Sequence, residues 1–136
     1  MDITGLLPLD SLLNYQCVFP IDQNISCTNP NLSPRIKPFC DKNMKWLLGQ
    51  YALAAKPQDH FIKLLIDVIC ENIDMYIKKY DNNDKNLWYV YTTTGPDYVT
   101  NVYYHYPNKK QIHILFHKEN QHFGIYAKHN CFGTWK

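Results

Sequence analysis

Glycine is scarce in this chain, with five among 136 residues and none of them clustered. That leaves no Gly-rich loop whose backbone N–H groups cradle phosphates. Arginine is scarcer still. Of 14 basic residues only Arg35 is arginine, and the other 13 are lysine. Base readout and phosphate clamps favour arginine. With 12 acidic residues the formal charge is +2, too near neutral for a dedicated nucleic-acid binder, so nucleic acid is not an expected partner. No C-x-x-C pair offers a zinc knuckle. The cysteines, Cys17, Cys27, Cys40, Cys70 and Cys131, are odd in number and irregularly spaced, a poor disulfide framework. Free thiols in a reducing compartment are therefore expected. Met1 to Gly5 has neither a basic n-region nor a long apolar h-region, so the default location is cytoplasmic. The longest apolar stretch, around Phe61 to Ile77, is interrupted by Lys63, Asp67, Glu71 and Asp74, and no transmembrane segment is expected.

What is present is a folding composition. Hydrophobic residues make up 46%, charged residues 19% and aromatic residues 15%. That suits one domain over 1–136 with a real core. Prolines at 8, 20, 30, 34 and 38 exclude long helices from the first forty residues, and 14–20 reads as one strand. Met44, Leu47, Leu48, Tyr51, Ala52 and Ala55 keep the i, i+3, i+4 spacing of a buried helix face, which predicts a helix from Asp41 to Ala55. The same spacing from Phe61 to Tyr80 predicts a second, longer helix capped by Asp59. Leu87 to Tyr91 reads as a strand. Thr94-Gly95-Pro96 breaks the chain and starts a third helix through Val99, Val102 and Tyr103. Ile112, Ile114 and Phe116 alternate as a half-buried strand, and Phe123 to Ala127 reads as another. The fold class is α/β, with topology left open.

Candidate chemistry is sparse. The six histidines are His60, His105, His113, His117, His122 and His129. On a strand, residues four apart such as His113 and His117 share a face but lie about 13 Å apart, too far to share an ion. Cys131 near His129 is weak support for a nucleophile pair, because such partners meet in space rather than in sequence.

Four segments carry more. The first is Met1 to Leu13, with Asp2 a short apolar run ahead of Pro8-Leu9-Asp10. The second is Gln50 to Phe61, with Pro57 before a long helix. The third is Thr94-Gly95-Pro96 with Thr100 four residues further on. The fourth is Tyr126-Ala127-Lys128-His129-Asn130-Cys131-Phe132-Gly133-Thr134-Trp135. In this order they resemble the C-terminal half of glycosyltransferase family 32, the DXD-containing enzymes. That family includes initiating α-1,6-mannosyltransferases, inositol-phosphoceramide mannosyltransferases and capsular polysaccharide transferases. Departures exist: Gln58, Asp59 and His60 stand where the family has Gly, His and Pro, Asn130 replaces a second His, and Thr134 replaces Ser.

The resemblance implies the C-terminal portion of a GT-A type, nucleotide-diphospho-sugar transferase fold. The N-terminal nucleotide-binding half and the first aspartate of the motif would precede Met1, so the resemblance reads this chain as truncated, with an upstream half-domain chain as a partner. It implies transfer of a hexose, mannose or similar, from a nucleotide-sugar donor to a glycan or glycolipid acceptor. Asp2 and His129 would hold Mn²⁺ or Mg²⁺. Gly133, Thr134 and Trp135 would line the diphosphate, and Thr94, Gly95 and Pro96 would shape the sugar or acceptor pocket. No catalytic residue is assigned. The alternative is a non-catalytic carbohydrate-binding or partner remnant, with Tyr51, Trp88, Tyr89, Tyr91, Tyr103, Tyr104 and Trp135 offering ring faces to sugars.

Overall fold

A computed structural model describes residues 3–80, 87–116 and 122–130. The fold is mixed α/β. Its centre is strand β2 (Cys17–Asn24), whose first five residues are all buried. β5 (Ile112–Leu115) runs parallel along one edge of β2, pairing Cys17 with Ile112 through Pro20 with Leu115. β4 (Ala54–Ala55) pairs antiparallel with Cys17 and Val18, and so takes the other edge. β3 (Trp46–Leu48) pairs antiparallel further along β2, from Ile21 to Asn24, across a register shift. That irregularity follows Pro20, whose ring removes a ladder donor, and a bulge is where an inner strand tolerates proline. The strand expected over 14–20 starts only at Cys17, after a 3-10 turn over Asp10–Asn14, and runs on through Pro20 to Asn24.

Alternation along β2 separates two clusters. Cys17 and Phe19 face a core built with Phe61, Leu65, Val99 and Val102. Those residues come from α2 (His60–Tyr80) and α4 (Pro96–His105). Val18 packs instead with Leu12, Leu115, Phe123 and Ala127. The long helix stands where its periodicity predicted, and Asp59 caps it: Oδ1 accepts from the N–H groups of Phe61 and Ile62, each at 3.0 Å. α4 begins at Pro96 as expected. No helix among the described residues is long and apolar enough to cross a membrane.

Two expectations fail. The helix over 41–55 does not form. A short α1 (Lys37–Asp41) precedes β3 and β4 instead. α1 ends because Asn43 adopts φ 56°, the left-handed cap conformation. Met44 N–H donates to Phe39 O and Asn43 N–H to Cys40 O, the paired bonds of a Schellman motif, and Phe39 and Met44 pack together beneath them. Leu47 and Leu48 are both fully buried, but in different clusters. Adjacent residues buried on opposite faces describe a strand covered on both faces, which happened to fit the helical spacing. The run from Leu87 is the second failure. It forms helix α3 (Leu87–Thr93) rather than a strand: its aromatic and branched residues favour a strand, and packing against α4 overrides that preference.

The thiol expectation is also corrected. Cys27 and Cys40 are joined in a disulfide with Cα atoms 5.5 Å apart, closing 13 residues of the Pro-rich loop onto α1. A loop of that length restrains the unfolded chain by about 3 kcal/mol. Such bonds persist in oxidising compartments. Cys17 is free and buried and Cys70 free and exposed, while Cys131 lies outside the described residues.

Burial pushes the Cys17 thiol from its ordinary 9.0 up to about 12, with the charge of Asp59 adding to it. Burial, then Tyr76 and Cys70, raises the Tyr98 hydroxyl from 10.0 to about 12. Both groups hold protons more tightly folded than unfolded. Between pH 9 and 12 the folded chain thus binds more protons, and stability falls as pH rises. Thermal denaturation should show this part of the stability intact below pH 9 and lost toward pH 12, with a shallower decline in Cys17→Ala. A melting temperature that rises over that range would contradict the assignment.

Candidate functional site

The first and last described strands meet. β1 (Ile3–Gly5) pairs antiparallel with β6 (Ala127–His129), with Ile3 opposite His129, Thr4 opposite Lys128 and Gly5 opposite Ala127. Two side-chain bonds flank the ladder. Asn130 Nδ2 donates to Thr4 Oγ1 at 3.0 Å, and the Ser11 and Tyr126 hydroxyls lie 2.7 Å apart. The expected strand over Phe123 to Ala127 is a tight turn into β6. Phe123 and Ala127 bridge across it, and Gly124 takes φ 54°, a conformation that strains side-chain-bearing residues. This reversal brings His122 beside His129.

Those two histidines and Tyr51 form one aromatic cluster. The Tyr51 ring lies flat on His129, centroids 4.6 Å apart and planes 7° apart. His122 stands edge-on to both, 5.8 Å from His129 and 6.4 Å from Tyr51. His129 N–H donates to His122 Nδ1 at 3.3 Å. A neutral imidazole accepting at Nδ1 carries its proton on Nε2. The Tyr51 hydroxyl lies within reach of two carbonyls, Ile21 O at 2.8 Å and His122 O at 2.5 Å. Its single proton serves one of them at a time, tying β2 to the turn. One face of the His129 ring is thus covered by Tyr51.

The expected site residues fall in three places. His129 is in this cluster. Asp2 is next in the chain before Ile3 but lies outside the described residues, as do Gly133, Thr134 and Trp135. Thr94, Gly95 and Pro96 form the turn between α3 and α4, where the N–H groups of Thr94 and Gly95 both donate to Val90 O. A Cβ on Gly95 would sit 2.7 Å from Val90 O and 2.8 Å from Tyr91 Cα, so helix packing alone accounts for this glycine. Thr100, from the same segment, is fully buried. Its Oγ1 accepts from Leu48 N–H at 2.8 Å and donates to Pro96 O at 2.6 Å, fastening α4 to β3.

Of the other histidines, His113 stacks on Tyr15 at 3.7 Å, and His117 lies outside the described residues. The sequence does not single out His122, and it offers Tyr51 as a buried helix-face residue and as a ring face for sugars, not as a partner of His129. The signal that was available is the seven-residue spacing of His122 and His129 about a glycine. An imidazole and a carboxylate, the donor types of His129 and Asp2, suit a divalent cation. Among the described residues no three His, Cys, Asp or Glu side chains converge.

No protein-family model matches the chain, and no curated protein and no solved structure matches it. Fold and site define a mixed α/β protein with an imidazole–phenol cluster where its first and last described strands pair.

Two outcomes follow. Thr100→Val should cost about 1–3 kcal/mol in urea denaturation, by leaving the Leu48 N–H buried without its acceptor. Thr100→Ser should cost much less, and equal losses would contradict this role. Long-range ¹H–¹⁵N spectra should show His122 protonated at Nε2 and bare at Nδ1. A proton on Nδ1 would exclude the bond from His129.

Proposed function

We propose that this chain forms the C-terminal part of a metal-dependent hexosyltransferase of GT-A type, transferring a hexose such as mannose from a nucleotide-sugar donor to a glycan or glycolipid acceptor. The reading rests on the order of the four sequence segments. The observation that carries it is the β1–β6 ladder. Segments about 125 residues apart in sequence are hydrogen-bonded neighbours, with Ile3 across from His129. A site assembled from both ends of the chain needs that closure.

In this reading Asp2 and His129 hold Mn²⁺ or Mg²⁺, the single imidazole favouring Mn²⁺. The cation, when bound, neutralises charge developing on the departing diphosphate. Tyr51 fixes the plane of the His129 ring by stacking, so the imidazole meets its ligand without first losing rotamer freedom. His122 holds the His129 backbone in register. Gly133, Thr134 and Trp135 line the diphosphate side.

Mn²⁺ binding, followed by the electron paramagnetic resonance of the free ion, tests this. The purified chain should bind Mn²⁺, and Asp2→Ala and His129→Ala should each weaken binding at least about tenfold, one ligand's share. His105→Ala, on the exposed end of α4, should leave it unchanged. Unaltered Mn²⁺ affinity in both ligand variants would overturn the metal assignment. Glycan binding indifferent to Mn²⁺ would favour a non-catalytic carbohydrate-binding role.

A further inference from the structure

A cavity of about 370 Å³ opens among α1, α2 and α4, and no residue of the His129 cluster lines it. That volume lies within the range of small-molecule sites. Phe39, Val68, Tyr98 and Val102 give it an apolar wall, and Arg35, Asp97, Lys42 and Asn101 supply its polar groups.

The charges there do not balance. Arg35 and Asp97 are nearly buried, their side chains 14% and 8% exposed. Arg35 Nε donates to both Asp97 oxygens at 2.9 Å, and Nη2 donates to Oδ1 at 2.6 Å. The guanidinium also lies 3.8 Å from the centre of the Tyr91 ring. Burial works against the Arg35 charge, yet the hydrogen bonds and charge of Asp97 outweigh it and the guanidinium stays protonated. Within the lining these two charges cancel, and the charge of Asp22, which does not line the cavity, also favours the Arg35 guanidinium. Lys42 has no such partner. Its Nζ donates to Asn101 Oδ1 at 2.6 Å and sits 4.9 Å from the centre of the Tyr104 ring. Among the described residues no carboxylate lies within ion-pair distance of it. Among the charged residues that line the cavity, this leaves one positive charge beside an apolar wall. Asn101 turns its oxygen to Lys42, which leaves its Nδ2 donors for a ligand.

We propose that this cavity binds a small anionic amphiphile: a molecule with a single carboxylate or phosphate head and an unbranched apolar body. The head pairs with Lys42 Nζ and Asn101 Nδ2. The body lies along Phe39, Val68 and Val102. Asp97 is held by Arg35 and so does not repel the head as a free carboxylate would. An alkylammonium meets the like charge of Lys42, and an alcohol of the same length gains no ion pair. This site is independent of the hexosyltransferase reading.

Isothermal titration of the full chain with octanoate, octyl phosphate, octanol and octylammonium tests the proposal. At least one of the two anions should bind saturably, one per chain, and the one that binds more tightly identifies the head. Octanol and octylammonium should bind at least about tenfold more weakly, the share of one charge-assisted hydrogen bond. Lys42→Met, at a partly exposed position, should weaken the anion about tenfold with circular dichroism unchanged. Val68→Trp should abolish binding by filling the apolar end. The proposal is overturned if neither anion saturates, if octylammonium binds equally well, or if Lys42→Met binds like the parent. Inorganic phosphate binding as tightly as octyl phosphate would also overturn it, because the apolar wall would then contribute nothing.

Discussion

β2 is hydrogen-bonded along both edges and covered on both faces, and the four-stranded sheet and the helices that cover it are arranged around it. Cys17, Val18, Phe19 and Ile21 are each at most 1% exposed. Burying a strand so completely satisfies its polar backbone only if neighbours supply the ladder, and β5, β4 and β3 do so. The two faces then select their covers. Cys17 and Phe19 draw down α2 and α4, and Val18 draws down the 3-10 turn at Leu12 and the start of β6. The second cover docks Ile3 and Tyr126 beside Val18, next to the pairing of β1 with β6.

Tyr51 connects the sheet to that closure. It leaves the chain between β3 and β4, reaches the Ile21 carbonyl with its hydroxyl and covers His129 with its ring. The aromatic cluster is therefore anchored to the most buried strand rather than to a free loop. A ring anchored in this way favours ligand binding by pre-organisation, since the rotamer is fixed before the ligand arrives. The Arg35–Asp97 pair does comparable work elsewhere. It pins the disulfide-closed loop to the first turn of α4 and forms one wall of the cavity.

Some of this was legible in the sequence. α2 declared itself, with an apolar spacing sustained over some twenty residues and an aspartate placed to cap it. Pro96 marked the start of α4, and alternation marked β5. The failures have separate causes. Between Asp41 and Ala55, spacing alone could not separate a one-faced helix from a strand buried on both faces, because Leu47 and Leu48 satisfy either. From Leu87 to Tyr91, residue preference pointed to a strand and the packing of α3 against α4 decided otherwise. The Cys27–Cys40 bond was hidden by the odd cysteine count. Of the candidate site, the sequence offered His129 through a resemblance, while Tyr51 and His122 join it by contacts that only the fold creates. The third segment shows the converse: Gly95 and Thr100 have complete structural roles in a helix turn and a strand contact.

In the proposed site Asp2 and His129 share one cation beside the β1–β6 ladder. Paramagnetic broadening in a ¹⁵N-labelled sample with substoichiometric Mn²⁺ tests this. The amides of Ile3, Lys128, His129 and Asn130 and the ring of His122 should broaden first, while those along α2 stay sharp. Broadening centred on α2 or on His105, or none at either end of the chain, would contradict it.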